Sequence, residues 1–255
     1  MTPITPNHRF YIVTKNLIDP DIVEADWRLR VGGLVHHELS FTLDELAALP
    51  SKTQLTTLEC VSNGVGYGLI SNARWTGVPL GELLRRAGHG GEAGWVNLHA
   101  ADGFSHSLSV EMAMRDTTLI AYQMNGYFLP HLHGFPARLI APGTYGEVNV
   151  KWLTEIELVR ERVPGYYDTQ GWKPDHVHTM SRIDEPRSAE IIHLSGAPVP
   201  IHGIAFAGSA VSPGSRSTMG GAGCRPGSTT APRRWPGAFG VWNGGRRAPA
   251  PTIWW

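Results

Sequence analysis

The apolar and polar positions divide this chain into short strand-like segments separated by turns. Apolar alternation predicts strands at 8–16, 26–35 and 55–60, two strands about a turn within 94–114, and further strands at 118–124 and 151–159. The segment 41–49 predicts a short helix that Pro50 ends, with Thr42 and Glu45 at capping-box spacing. Turns are expected at Asp102-Gly103 and Asn125-Gly126.

The chain is organised around residues 55–80, which read LTTLECVSNGVGYGLISNARWTGVPL. A strand ends at Cys60, and a loop with several glycines follows before a helix-like segment at 81–88. Glycine lets backbone approach a ligand because it carries no Cβ atom. The stretch therefore places a thiol beside a loop suited to close contact with a ligand.

Composition restricts the class of protein. The 255 residues are 42% hydrophobic and 17% charged, with a formal net charge of zero, which is typical of a globular chain. A neutral chain has no overall basic field to attract nucleic acid or an anionic membrane. Its two cysteines do not form a disulfide framework, and no apolar run reaches the roughly 20 residues of a membrane span.

Three interpretations of Cys60 follow from the residues alone. It is an inert buried thiol, a nucleophile with a lowered pKa, or a single thiolate ligand to a metal held mainly by a cofactor. Zinc is disfavoured because it takes three or four protein ligands, and the other cysteine, Cys224, is far away in the sequence. A thiol hydrolase lacks an evident His-Asp partner order. A dinucleotide loop at 64–68 lacks the G-x-G-x-x-G spacing.

The surrounding motifs favour the third interpretation, a single thiolate ligand to a metal. Cys60 after a TLxC-type strand, Asn63 in the following loop, and NARWTGVPL at 72–80 resemble the molybdopterin-binding domain of the sulfite oxidase family. The resemblance continues through HGFPARLIAPGTYGEVNVKWLTEIEL at 133–158 and covers roughly residues 8–208. It implies a Mo-molybdopterin cofactor and makes Cys60 the expected metal ligand.

The resemblance also implies a set of cofactor-binding residues, which are Tyr11, Lys15, Asn16, Asp102, His133, Arg138, Asn149, Val150 and Lys151. Lys15 stands where the family often has an arginine. Asp102 alone would be read as a turn residue. The pair His131 and His133 in H-x-H spacing would place both rings on one side of a strand, but no third metal ligand is evident, and in the family the second histidine donates to the pterin.

Arg138 and Lys151 suit the phosphate of such a cofactor. Burying a dianion requires fixed cations and backbone donors. Arginine presents a planar fork of donors and lysine a point charge, and a glycine-broken loop lies between the two residues.

The resemblance implies two-electron oxygen-atom transfer on a small sulfur- or nitrogen-containing substrate. Family sulfite oxidases place arginines just after the cysteine, whereas here none occurs before Arg74. Trp172 best matches the family's catalytic tyrosine, with Tyr166 and Tyr167 close by. We therefore expect weak or no sulfite oxidation, and a neutral or organic S- or N-oxide is at least as good a candidate substrate. The competing interpretation is a non-catalytic or cofactor-poor remnant.

The predicted fold class is α+β, a mixed, strand-rich domain at 8–178, with MSRIDEPR at 180–187 as a linker. The start of an immunoglobulin-like dimerisation region follows at 179–208, with two short strands within 197–209. Residues 209–255 contain no Asp, Glu or Lys and carry tryptophans at no regular period, so this tail predicts no packed fold and suggests a frame change. The family is dimeric, and the incomplete region puts a dimer in doubt.

The N-terminus shows neither a signal peptide nor a twin-arginine pair, so the chain as written is expected to be cytoplasmic. Relatives with an export signal or a membrane anchor make a missing upstream part an open alternative. Because the sequence lacks a C-x-x-C-H motif, electrons are expected to pass to a separate protein such as a cytochrome.

Overall fold

The computed structural model describes residues 4–64, 67–172, 176–185, 202–206, 208, 222–223 and 242–243. The chain divides into two compact units, Met1–Val177 and His178–Trp255. The predicted domain limits at 8–178, 179–208 and 209–255 stay predictions.

The described part of the first unit is rich in strands and contains a few short helices. Its strands and α-helices are, in chain order, β1 (Leu29–Gly33), β2 (Leu39–Phe41), α1 (Leu43–Ala47), β3 (Lys52–Glu59), β4 (Ile70–Pro79), α2 (Leu80–Ala87), β5 (Trp95–Ala100), β6 (Ser105–Ser109), α3 (Val110–Ala113), β7 (Leu119–Met124), β8 (Tyr127–Phe128), β9 (Arg138–Ile140) and β10 (Leu153–Val159). The α+β prediction is confirmed.

The first sheet has the strand order β2-β1-β10-β5-β6. Strands β1 and β10 run parallel, with Val31 opposite Ile156, and the other pairs are antiparallel. Alternate residues of β1 are buried because one face of the sheet packs on the core, as Leu29 and Val31 show. Helix α2 contributes Leu83 and Leu84 to the same hydrophobic core.

The second sheet contains β3, the strand that ends directly before Cys60. Its order is β3-β4-β7-β8, and β9 also pairs with β7. Strands β3 and β4 are antiparallel, with Thr56 opposite Ala73. The fully buried Trp75 donates its indole N–H to the carbonyl of Thr56 at 3.2 Å, which satisfies the one polar atom of that side chain. This packing fixes β3, so the position of Cys60 directly after it is well defined.

Several local predictions are confirmed. Thr42 caps α1, its side chain accepting from the Glu45 N–H while the Glu45 carboxylate accepts from the Thr42 N–H. In the turn between β7 and β8, Asn125 has φ 55° and Gly126 has φ 88°, as a two-residue hairpin turn requires.

Three predictions of local structure are wrong. Residues 8–16 form no strand: a 3-10 turn at Asn7–Arg9 leads into an irregular segment that pairs with no neighbouring strand. His131 and His133 lie in a 3-10 turn rather than on a strand. Residues 180–185 of the predicted linker form a strand, because a partner strand distant in sequence pairs with them.

In the second unit, β11 (Met180–Glu185) pairs antiparallel with β12 (His202–Phe206). Two short strands, β13 (Ala222–Gly223) and β14 (Trp242–Asn243), pair in parallel. The rest of the predicted immunoglobulin-like region and of the 209–255 tail lies outside the described residues. Among the residues that the structure describes, no helix combines the length and the apolar character needed to cross a membrane.

Candidate functional site

A cavity in the first unit brings most of the predicted site residues together. It encloses about 950 Å³, including its open mouth. Of the predicted residues, the lining contains Tyr11, Lys15, Cys60, Asp102, His133, Arg138, Asn149, Val150, Lys151 and Trp172. Asn16 lies beside the cavity and donates from Nδ2 to Asp102 Oδ2 at 2.8 Å.

Cys60 is partly exposed to the cavity at the end of β3. Its N–H donates to the Leu69 carbonyl at 2.9 Å, which closes the glycine-containing loop. Asn63 braces the same loop: its Nδ2 donates to Glu59 Oε1 at 2.9 Å and its Oδ1 accepts from the Leu69 N–H at 3.0 Å. Cys60 is therefore held on a braced loop at the cavity wall, with its Sγ 3.0 Å from Ser62 Oγ. Gly66, a further glycine of this loop, lies outside the described residues.

Arg138 is the most deeply buried cation of the cavity. Its side chain donates to the carbonyls of His133 and Asn149, each at 2.9 Å, and its guanidinium lies 5.1 Å from the Trp75 ring centroid. The buried Nε has no hydrogen-bond partner among the described residues. Burial lowers the pKa of Arg138 to about 10, which leaves it charged at neutral pH. A buried cation with a spare donor is suited to an anionic ligand.

Lys151 provides the second cation. Its Nζ donates to the Leu132 carbonyl at 3.2 Å and lies 4.0 Å from the Trp152 ring centroid. Trp152 has a φ of 50°, unusual for a bulky residue, and its indole N–H donates to the His131 carbonyl at 2.9 Å. Burial, together with nearby Arg138, lowers the pKa of Lys151 to about 8.

This lowered pKa predicts pH-dependent binding of anions. We expect the affinity for sulfate, which stays divalent in this range, to fall about tenfold per pH unit above pH 8, because binding then requires proton uptake by Lys151. In the ligand-free protein, the unfolded chain binds more protons between pH 8 and 10.5, so stability rises with pH across that window. Calorimetric titration of the parent and of Lys151→Met measures the effect. A pH-independent affinity in the parent would contradict the assignment.

His133 is buried, and its Nε2 donates to the Asn7 carbonyl at 2.8 Å. Burial lowers its pKa, and the positive charges of Arg138 and Lys151 act in the same direction, so the ring is neutral at neutral pH. In a neutral ring with Nε2 protonated, Nδ1 is an acceptor. His131 donates instead to the Pro20 carbonyl, so the two rings are hydrogen-bonded to different segments of the chain. In this tautomer the one ring N–H is already donated to Asn7, so His133 could offer a pterin only its Nδ1 acceptor, and its predicted contact with the pterin stays a prediction.

Asn149 shapes the loop that closes the cavity. Its Oδ1 accepts from the Ala141 N–H at 2.8 Å, and its Nδ2 donates to Thr144 Oγ1 and to the Tyr145 carbonyl. Its side chain therefore holds the loop together, while Asn149 and Val150 both line the cavity. The sequence indicated both residues as cofactor-binding, but it could not show whether each would contact the cofactor or only hold the loop in place.

Tyr11 lies deep in the cavity wall. A Cβ atom on Gly146 would lie 2.5 Å from the Tyr11 hydroxyl, so a larger residue there would displace the Tyr11 ring. Burial raises the pKa of Tyr11, and nearby Arg138 opposes this shift. Cys60, Glu59 and Glu147 raise it further. Tyr11 therefore lies within electrostatic reach of both Arg138 and the Cys60 end of the cavity.

Lys15, Asn16 and Asp102 bond mainly to one another. Lys15 Nζ donates to the Asp102 carbonyl at 3.0 Å and to Asn16 Oδ1 at 2.9 Å, and it lies 3.7 Å from Asp102 Oδ2. Asp102 Oδ1 accepts from the Phe104 N–H at 2.9 Å, which is the turn role expected from the sequence.

An aromatic cluster forms one wall of the cavity. Tyr167 lies at its centre, and the sequence indicated this residue only as a neighbour of Trp172. The Tyr167 ring centroid lies 5.7 Å from that of Phe104, 5.2 Å from that of Tyr166 and 6.0 Å from that of Trp172. Both Trp172 and Tyr167 line the cavity, and burial, with Glu147 adding to the effect, raises the pKa of Tyr167. The repeated aromatic residues of YYDTQGW were the available signal.

Comparisons with known proteins agree with this geometry. The family described as "Oxidoreductase molybdopterin binding domain" matches residues 16–167. The chain is 34% identical over 146 residues to the uncharacterized oxidoreductase YuiH of Bacillus subtilis, covering 57% of this chain and 72% of YuiH.

Larger relatives show the same similarity. Human mitochondrial sulfite oxidase is 31% identical over 251 residues, covering 80% of this chain and 45% of that protein. The crystal structure of the sulfane dehydrogenase SoxCD from Paracoccus pantotrophus superposes with a TM-score of 0.72 at 28% identity, covering 81% of this chain and 59% of that one. The chain thus spans about half the length of these two proteins.

Proposed function

The chain belongs to the oxidoreductase molybdopterin-binding domain family, with sulfite oxidases among its relatives, and we propose that it binds Mo-molybdopterin and transfers an oxygen atom to or from a small organic substrate. When bound, this group supplies two-electron oxygen-atom transfer. The observation that carries the proposal is that one cavity is lined by Cys60 and by two buried cations, Arg138 and Lys151.

The residues present fit the proposed cofactor. Arg138 and Lys151 would hold its phosphate, because both line the cavity and burial lowers the pKa of each, so that a bound anion would stabilise their charged forms. Gly134 leaves room for both side chains to approach from one side. Cys60 would supply the thiolate to the metal, since it is a sulfur ligand on a braced loop facing the cavity.

The substrate is proposed to be neutral. Among the described residues, the cations that line the cavity are Lys15, Arg138 and Lys151, and Lys15 is bonded to Asp102. The residues that follow Cys60 directly, Val61 and Ser62, are uncharged. With Arg138 and Lys151 assigned to the cofactor phosphate and Lys15 paired with Asp102, the described lining leaves no cation for an anionic substrate such as sulfite.

The aromatic wall of the cavity supports the proposal that the substrate carries an organic group. Trp172 is 46% exposed at the cavity and contacts the ring of Tyr167. Aromatic faces and the nearby apolar side chains of Ile12, Val13 and Leu132 provide contact area for the non-reacting part of an S- or N-oxide. Neutral Tyr167 and Tyr11 would donate hydrogen bonds to an oxide oxygen, because both keep their phenolic protons at neutral pH.

Electrons are proposed to pass to or from a separate one-electron carrier such as a cytochrome, because the sequence contains no C-x-x-C-H haem motif. Reduction of an oxide consumes two electrons and two protons and releases water, so two carrier molecules would serve one turnover.

A substrate comparison tests the proposal. Cofactor-loaded protein is assayed with dimethyl sulfoxide or trimethylamine N-oxide and a reduced dye, and with sulfite and an oxidised dye. We expect kcat/KM for sulfite to be about 100-fold below that of the better oxide, as loss of one charge-assisted contact in the transition state would cause.

Trp172→Ala serves as the matched variant. It should lower kcat/KM for the oxides and leave the weak sulfite reaction unchanged, because sulfite has no organic group to contact the ring. High turnover at micromolar sulfite would contradict the neutral-substrate proposal.

A further inference from the structure

Residues 10–16, called the strap below, form a continuous wall of the cavity without belonging to a strand or helix. Residues 10 to 15 all line the cavity, and 11–16 are irregular backbone. Among the described residues, backbone-to-backbone hydrogen bonds hold Phe10 to the turn before it, but none holds residues 11–16. The position of the strap therefore depends on its side chains.

The first end of the strap is fixed in the core. Phe10 is 3% exposed, and its ring contacts those of Trp75 and His133 at centroid distances of 5.6 and 5.5 Å. The Tyr11 N–H donates to Ser71 Oγ at 3.2 Å. This end has no freedom to leave the cavity without disrupting the core.

The second end is held by polar contacts, most of which reach Asp102. In addition, Lys15 Nζ lies 5.1 Å from the Tyr166 ring centroid, and Thr14 and Asn16 donate to Asp19 Oδ1 within the same segment. Lys15 Nζ donates to the Asp102 carbonyl at 3.0 Å and forms an ion pair with its carboxylate at 3.7 Å, and Asn16 Nδ2 donates to Oδ2 at 2.8 Å. Asp102 itself is fixed because its Oδ1 accepts from the Phe104 N–H. Between the two ends, Ile12 and Val13 are 44% and 42% exposed, so apolar burial holds the middle only weakly.

We infer that Asp102 is a positioning residue that clasps the strap over the cavity, and that opening of this clasp sets the rates at which the pterin enters and leaves. The inference rests on the proposed function for the identity of the ligand. A direct ligand residue changes equilibrium affinity. A clasp that closes over both the empty and the loaded cavity instead changes the entry and exit rates together.

Amide hydrogen exchange of the cofactor-free, full-length chain tests the clasp itself. The double variant Lys15→Met/Asn16→Ala removes the strap side of the clasp. Asp102→Asn removes its charge but keeps Oδ1 for the Phe104 N–H. We expect the amide of residue 16, which donates to Thr14 Oγ1 in the parent, to exchange about tenfold faster in both, as loss of one or two hydrogen bonds would cause. The control is Lys52→Met, which breaks an exposed lysine–aspartate pair away from the cavity and should change nothing in the strap.

Pterin uptake and release test the consequence. In both clasp variants the two rates should rise by a similar factor of about ten, with equilibrium occupancy changed less than about threefold. Unchanged strap exchange would overturn the inference, as would a faster release with unchanged uptake, which would make these side chains direct ligands. A parent chain that takes up no pterin would overturn the proposed function, and exchange alone would then decide whether Asp102 clasps the strap.

Discussion

Arg138→Met is expected to yield a folded protein that has lost its pterin. Methionine keeps much of the apolar stem but removes the guanidinium, its bonds to the His133 and Asn149 carbonyls, and the spare Nε donor. Truncating one partner of a buried charge pair costs about 2–5 kcal/mol of binding, or roughly 30- to 4,000-fold in affinity. Pterin content after purification, read by the fluorescence of the released pterin, should fall below a tenth of the parent value.

Two further variants make this result specific. Arg138→Lys keeps a charge without the planar fork, so its pterin content should lie between those of the parent and Arg138→Met. Arg74→Met removes an exposed arginine outside the cavity and should retain the parent content. Full pterin content in Arg138→Met, with unfolding by denaturant still cooperative, would mean that this guanidinium does not hold the cofactor.

Gly134→Ala is expected to lower both stability and pterin content. Gly134 has φ +105°, and a Cβ atom there would lie 3.0 Å from Lys151 Cβ and 3.1 Å from Arg138 Cβ. Placing an L-residue in left-handed backbone costs about 1–2 kcal/mol, and crowding adds to that cost. Because the crowded atoms belong to Arg138 and Lys151, the substitution should displace both of these cations. Denaturant unfolding and pterin content measure the two effects.

Gly126→Ala is the matched control. Gly126 has φ +88° but no atom within 4 Å of the added Cβ, so its substitution reports backbone strain without crowding. We expect the control to lose stability but to keep its pterin. Equal pterin content in Gly134→Ala and Gly126→Ala would show that the close approach at Gly134 has no role in the site.

The strands and turns were predictable because local patterns and tertiary packing agree there. Alternation in β1, the capping box of α1 and the Asn125-Gly126 turn all reflect short-range physics. The strap failed as a predicted strand because strand formation needs a partner with free backbone groups, and alternation in HRFYIVTKN does not reveal that none is adjacent. The strand β11 was missed for the opposite reason, since its partner lies about 20 residues further along the chain.

The sequence predicted which residues belong to the candidate site but not what each of them does there. The family resemblance predicted that Cys60, Arg138 and Lys151 belong to one site, and all three line the same cavity in the structure. Sequence could not separate residues that face a ligand from residues that hold others in place, because that depends on hydrogen bonds between distant segments. Asn149 braces its loop, and Asp102 bonds to the strap 86 residues earlier.

The central claim is that Cys60 and the buried cations hold a molybdenum–pterin group. The most direct measurement is molybdenum and pterin analysis of the purified chain beside Cys60→Ser, both produced in cells that make molybdopterin. About one molybdenum per chain in the parent is expected, with pterin retained but the metal lost or spectroscopically altered in Cys60→Ser, because serine supplies a harder oxygen ligand. A parent chain with neither molybdenum nor pterin would contradict the account.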